Sequence, residues 1–176
     1  MLGWLAIFFA FKFSFKISIY CILFASIFDY LDGFFARKLN VESKLGAQLD
    51  SLADFITFGV APAVIIFNLS ISEEIFSEPN FDLLLFLNIG LNPVFAALRL
   101  AKFNSTTTQK SHFIGLPSPA FALSAVAITL VLMEYQLDDY KIYYPFIMIL
   151  LSSLMVVKVK FLSFKLSNFN LSLIHI

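Results

Sequence analysis

Apolar positions gather into six long stretches, residues 2–15, 17–36, 46–69, 81–100, 117–133 and 142–157, with short polar segments between them. A helix needs about 20 mostly apolar residues to cross a bilayer. The pattern therefore predicts an all-α polytopic membrane protein with six transmembrane helices. The first stretch is short and interrupted by Lys12 and Lys16. Residues 1–36 are too many for one span, so two separate helices are predicted there, the first truncated at its start. The organisation expected is one membrane domain over residues 1–165, followed by an unassigned tail, 166–176, that fits no element.

Composition agrees. Apolar residues make up 60% of the chain, charged residues 14%, and mean hydropathy is +0.88. Formal net charge is zero, so no basic patch argues for a nucleic-acid partner. The 23 Phe read as lipid-facing or packing residues in this setting. A single cysteine, Cys21, excludes an internal disulfide and a cysteine-based metal site; burial as a small hydrophobe suits it. Met1 leads straight into apolar sequence, with no small-residue cleavage site of a signal peptide.

Charge sorts the connecting segments. Arg37, Lys38 and Lys44 follow the second stretch, Arg99, Lys102 and Lys110 the fourth, and Lys158, Lys160 and Lys165 the sixth. The third connection carries Glu73, Glu74, Glu78 and Asp82, and the fifth Glu134, Asp138 and Asp139 against Lys141 alone. Loops rich in Lys and Arg stay cytoplasmic, so both termini are expected on the cytoplasmic side; the membrane expected is a bacterial or archaeal-type cell membrane. Lys12 and Lys16 depart from the rule and are expected to snorkel to the outer interface.

Ionisable groups within spanning helices are costly and therefore functional candidates. Asp29 and Asp32 stand three residues apart near the cytoplasmic end of the second stretch, on one helical face. Asp50 and Asp54 stand four apart near the start of the third. A short loop joins the two helices, so the four carboxylates are expected to converge. A lone Asp at such a place is ordinarily an interfacial cap, and Arg37 alone a topological anchor. Four carboxylates together need cations between them. Hard divalent ions take oxygen ligands and substrate phosphates, and a pair of them can clamp a phosphoryl group. Gly33, Ala36 and Gly46 leave room beside the acids. Arg37 lies two turns beyond Asp29, about 12 Å nearer water, where a guanidinium can take a phosphate.

The joint pattern is D-x-x-D-G-x-x-A-R, eight residues, then G-x-x-x-D-x-x-x-D. Eight fixed positions match by chance on the order of once in 10¹⁰ start sites. The pattern resembles the signature of the CDP-alcohol phosphatidyltransferase family, and the likeness runs from near the first residue to about Lys165.

That resemblance implies six-helix membrane enzymes, commonly homodimers, whose active site opens to the cytoplasm. It implies two divalent cations, Mg²⁺ or Mn²⁺, one held by Asp29, Asp32 and Asp50, the other by Asp29, Asp50 and Asp54. Asp54 would also be the general base for the acceptor hydroxyl. Gly33, Ala36, Arg37, Ser43 and Gly46 would surround the CDP moiety. Family members carry an amphipathic segment before the first helix, whereas this chain begins within that helix.

Three further stretches, Asp54-Phe-Ile-Thr-Phe-Gly-Val-Ala-Pro62, Arg99-Leu-Ala-Lys-Phe-Asn104 and Phe113-Ile-Gly-Leu-Pro-Ser-Pro-Ala120, resemble the branch of the family that joins CDP-diacylglycerol to L-serine. The acceptor carboxylate would then meet Arg99 and Lys102, with Lys110 on the same side, and Asn104 and Ser118 would bond its polar groups. For Arg99 and Lys102, topological anchoring is the plainer alternative. Pro117 and Pro119 read as helix-start residues, and His112 as a loop residue. Rival readings are a glycerol-phosphate or inositol-phosphate acceptor, which would want a denser basic pocket; a divalent-metal transporter, which would spread its carboxylates over several depths; and a structural subunit, which leaves the cost of the aspartates unexplained.

Overall fold

The computed structural model describes residues 1–39, 43–72, 80–105, 113–135, 143–157 and 160–161. Its helices are α1 (Leu2–Phe11), α2 (Phe15–Leu39), α3 (Lys44–Asp54), α4 (Ala61–Ser72), α5 (Asn80–Ser105), α6 (Ser118–Glu134) and α7 (Tyr144–Ser153). Between α3 and α4 the chain stays helical but widens into a π-helical stretch, Phe55–Val60. Two-residue strands, β1 (Phe113–Ile114) and β2 (Lys160–Phe161), pair antiparallel and are the one departure from an all-helical chain among the described residues.

Each predicted apolar stretch is a helix, but they are unequal in length. Phe15–Ala36, Leu45–Ile71 and Leu83–Asn104 are long and apolar enough to cross a membrane. Helices α1, α6 and α7 are apolar but shorter. The first helix ends at Phe11 rather than reaching residue 15, because Phe13 adopts a left-handed backbone, φ 55°. That conformation is unfavourable for a residue with a Cβ, by about 1–2 kcal/mol, and it reverses the chain so that α1 and α2 lie side by side. The two helices predicted for residues 1–36 are therefore separate.

The second half of the α3–π–α4 rod is the inner helix: Thr57–Ser70 is buried except at Val60 and Phe67, which are half-buried, whereas half of the residues of Phe15–Ala36 are exposed. The π-helical stretch touches α1, α2, α5 and α6. Small residues permit this crowding, as they do where helices meet in lipid. Ala6 and Ala10 of α1 and Ala61 and Ala63 of α4 are fully buried. A methyl group on Gly3 would overlap Thr57, and one on Gly59 would lie 2.8 Å from the Cβ of Ala96. Larger side chains such as Tyr20 and Phe24 of α2 face outward, as expected of a lipid-exposed surface, while Cys21 is half-buried and packs against the core.

Hydrogen bonds tie the bundle together away from the acidic end. Ser18 donates to the Ala6 carbonyl at 2.6 Å, and Asn88 donates to the Pro145 carbonyl at 3.1 Å. Thr129 and Tyr144 join α6 to α7 through their hydroxyls. Interhelical bonds of this kind contribute about 0.6 kcal/mol each on average in a membrane. Lys16 meets Glu134 at 3.6 Å on the exposed surface, and Lys12 lies 4.8 Å from the Phe8 ring centroid. The two basic residues that broke the charge pattern thus sit at the end of the bundle opposite the aspartates.

The acidic third and fifth connections (Glu73, Glu74, Glu78, Asp138 and Asp139), Lys110, His112, Lys158 and the 166–176 tail all lie outside the described residues.

Candidate active site

Helix α2 carries Asp29 and Asp32 about one turn apart near its C-terminal end, and α3 carries Asp50 and Asp54 on one face. Ser43 starts α3: its hydroxyl accepts from the Gly46 N–H at 3.0 Å, an N-cap of the usual kind. A Cβ on Gly46 would sit 3.0 Å from that hydroxyl oxygen, so the glycine keeps the cap open. The start of the acidic helix is fixed by these two residues.

Folding brings the carboxylates together. Asp29, Asp32 and Asp50 each present an oxygen, all within 4.8 Å of one another. Asp54 lies in hydrogen-bonding contact with Asp29. All four line a cavity of about 250 Å³, closed by Ala25, Phe28, Ala53, Thr57 and Phe58, with Met1 and Leu2 at its edge. Asp29 and Asp54 are partly buried, Asp32 and Asp50 exposed, so the site grades from the bundle interior outward.

The donor set fits a hard divalent ion. Opposite ligands around a Mg²⁺-sized ion stand about 4.2 Å apart, twice its 2.1 Å bond, and oxygens within 4.8 Å need little movement to reach that spacing. Clustered carboxylates without a cation would repel one another.

The remaining candidates are distributed as follows. Gly33 and Ala36 are half-buried on α2, one turn beyond the two aspartates; the side chain of Arg37 lies outside the described residues. Arg99 of α5 interacts electrostatically with Asp54, and its Nη1 donates to the Ser118 hydroxyl at 2.6 Å. Arg99 and Ser118 therefore belong beside the acids. Asn104 does not: its amide bonds Ser51 at 3.0 Å on the opposite flank of α3. There a separate concavity of about 500 Å³ is lined by Gln48, Leu52, Phe55, Ala97 and Leu100 as well as that pair. Lys102 is exposed in the last turn of α5.

Two features escaped the sequence reading. Thr57 lines the acidic cavity three residues after Asp54; its helical spacing could have flagged it, but a threonine in an apolar run carries no charge to draw notice. The π-helical stretch begins immediately after Asp54, and such widenings recur at functional sites. Its residues, Phe-Ile-Thr-Phe-Gly-Val, read as an ordinary apolar helix.

A family model described as CDP-alcohol phosphatidyltransferase matches residues 1–162. The chain belongs to the CDP-alcohol phosphatidyltransferase family. Among curated relatives, the CDP-diacylglycerol–serine O-phosphatidyltransferase of Helicobacter pylori is 37% identical over 177 residues, covering 98% of this chain and 71% of that protein. The enzyme of the same name from Bacillus subtilis is 38% identical over 141 residues, 78% of this chain and 70% of its own length. That of Methanocaldococcus jannaschii is 35% identical over 136 residues, 77% of this chain and 58% of its own. Among the described residues, Asp29, Asp32 and Asp50 are the one group of three or more side chains placed to share a metal ion.

Proposed function

We propose that this CDP-alcohol phosphatidyltransferase transfers a phosphatidyl group from CDP-diacylglycerol to L-serine, releasing CMP. The observation that carries the reading is the meeting of Asp29, Asp32 and Asp50 within 4.8 Å at one end of the bundle, with Asp54 against Asp29. Serine as acceptor is supported by the names of the relatives and by the placing of a guanidinium, Arg99, beside Asp54.

Asp29, Asp32 and Asp50 would hold one divalent cation, and Asp29, Asp50 and Asp54 a second, either Mg²⁺ or Mn²⁺. When bound, such ions offset the charge of the diphosphate and make CMP a better leaving group. Asp54 accepts the proton of the serine hydroxyl at a carboxylate oxygen. The serine oxygen forms its bond to the phosphorus that bears diacylglycerol, and the bond from that phosphorus to the CMP oxygen breaks. Arg99 takes the serine carboxylate. Gly33, Ala36 and Arg37 flank the donor's nucleotide, with Ser43 and Gly46 shaping the start of α3 beside it. Lys102 adds positive charge on the same side.

The basic connections after α2 and α5 support a cytoplasmic opening, and membership of the family supports a homodimer. A divalent-metal transporter is disfavoured because the carboxylates gather at one end instead of marking a path through the bundle. The deciding experiment is an acceptor swap on the purified chain in lipid. CMP release should require CDP-diacylglycerol and L-serine together, and glycerol 3-phosphate or inositol phosphate should not replace serine. Turnover with either phosphate acceptor at a rate matching serine would reassign the acceptor.

A further inference from the structure

The stretch Phe113–Ala120 is absorbed by no step of the reaction, yet the fold holds it in place more tightly than a connecting loop requires. Gly115 has φ +84°, and a methyl group there would overlap the backbone carbonyl of Met155. The next N–H, that of Leu116, donates to the Leu154 carbonyl at 2.9 Å. Just before it, Phe113 and Ile114 pair with Phe161 and Lys160. The chain is thus clamped against the segment leaving α7 by a strand pair, a left-handed glycine and a backbone hydrogen bond.

Pro117 then caps α6 with an extended backbone, φ −58° and ψ 139°, its carbonyl accepting from the Phe121 N–H at 3.0 Å. Proline just before or within a first helical turn presets the entry angle of the chain. What this delivers is Ser118, fully buried, with its hydroxyl 2.6 Å from Nη1 of Arg99.

Arg99 is otherwise incompletely matched. Its Nε is buried and has no hydrogen-bond partner among the described residues. A guanidinium is planar and offers donors in a fixed fork. With Nη1 engaged by Ser118, the edge bearing Nε is the one left for a planar, two-oxygen acceptor. A buried donor without a partner is costly, and a carboxylate would satisfy it.

We infer that Ser118 is a positioning residue for acceptor selection: by holding Nη1 of Arg99 it presents the Nε edge to a carboxylate-bearing acceptor beside Asp54. This rests on the reading that Arg99 receives the acceptor's carboxylate. Phe113–Pro119 is then the arm that carries Ser118 to its place, anchored at the C-terminal end of α7.

The test measures CMP release by the full chain in liposomes, with saturating Mg²⁺ or Mn²⁺, against serine concentration and separately against CDP-diacylglycerol concentration. Ser118→Ala should raise the apparent KM for serine about tenfold, the scale of one hydrogen bond to a charged group. That rise should exceed any fall in kcat, with the KM for the donor lipid unchanged. The preference for serine over ethanolamine, which is serine without its carboxylate, should narrow by a similar factor. Ser118→Thr, which keeps the hydroxyl, should retain the wild-type serine KM, and Ser118→Cys, close in size but a poor acceptor, should behave as the alanine variant. An unchanged serine KM in either folded alanine or cysteine variant overturns the inference. So does an equal loss with both acceptors, which marks a purely structural role. If wild-type protein shows no serine-dependent turnover, or Arg99→Ala leaves the serine KM untouched, it is the underlying acceptor reading that has failed.

Discussion

Gly59 of the π-helical stretch faces Ala96 of α5 so closely that a Cβ on the glycine would lie 2.8 Å from the alanine methyl. This crossing sets the antiparallel register of the two helices. Eight residues before Gly59 and eight after Ala96, Ser51 and Asn104 meet in a hydrogen bond. Between these points Asp54 comes within electrostatic reach of Arg99. One missing methyl group thus links the packing of the bundle to the pairing of the proposed base with the proposed acceptor site.

Gly59→Ala should destabilise the protein by about 1–3 kcal/mol, the range for overpacking a close contact. Thermal unfolding in detergent measures the loss. Adding Ala96→Gly should restore much of it by removing the opposing methyl group. Two additive losses, with no recovery, would show that the contact does not govern the crossing.

Asp54→Asn should cut CMP release by about 10²-fold or more, since it removes both a general base and a metal-ligating charge. Helix content by circular dichroism should stay near wild type, because the exchange removes no volume. A variant turning over near the normal rate would sink the assigned role of Asp54.

Chelation with EDTA should abolish turnover, and added Mg²⁺ or Mn²⁺ should restore it. Asp50→Asn should raise the metal concentration needed for half-maximal activity by about tenfold or more, because affinity follows the number of charged ligands. An unaltered metal dependence in that variant would remove Asp50 from the ligand set.

Lys102 lies in the last turn of α5 at the acidic end. In a Cys21→Ser background, Lys102→Cys should react with a membrane-impermeant thiol reagent only from the cytoplasmic side. Labelling from outside intact cells would invert the topology that the basic connections imply.

Much of this was legible along the chain. Long apolar stretches located the helices of the described residues, since lipid leaves the backbone no partner but itself. The four aspartates were conspicuous because charge in such a setting carries a cost, and their spacings of three and four put each pair on one helical face. The family resemblance rested on the same residues.

Other features depended on contacts between residues far apart in sequence. Asn104 and Ser118 both looked like polar groups for the acceptor, yet Asn104 turns to Ser51 on the far flank of α3 while Ser118 meets Arg99. Nothing local distinguishes them: the angular position of each on its helix has meaning only once the neighbouring helix is in place. The same holds for the π-helical widening after Asp54, whose sequence suits an α-helix equally well. Sequence determined which segments are apolar helices and which charges they carry, because burial in lipid penalises each residue by its own chemistry. Tertiary structure decided which of those polar groups face one another, because small residues at Gly3, Gly59 and Gly115 set how closely their segments approach their neighbours.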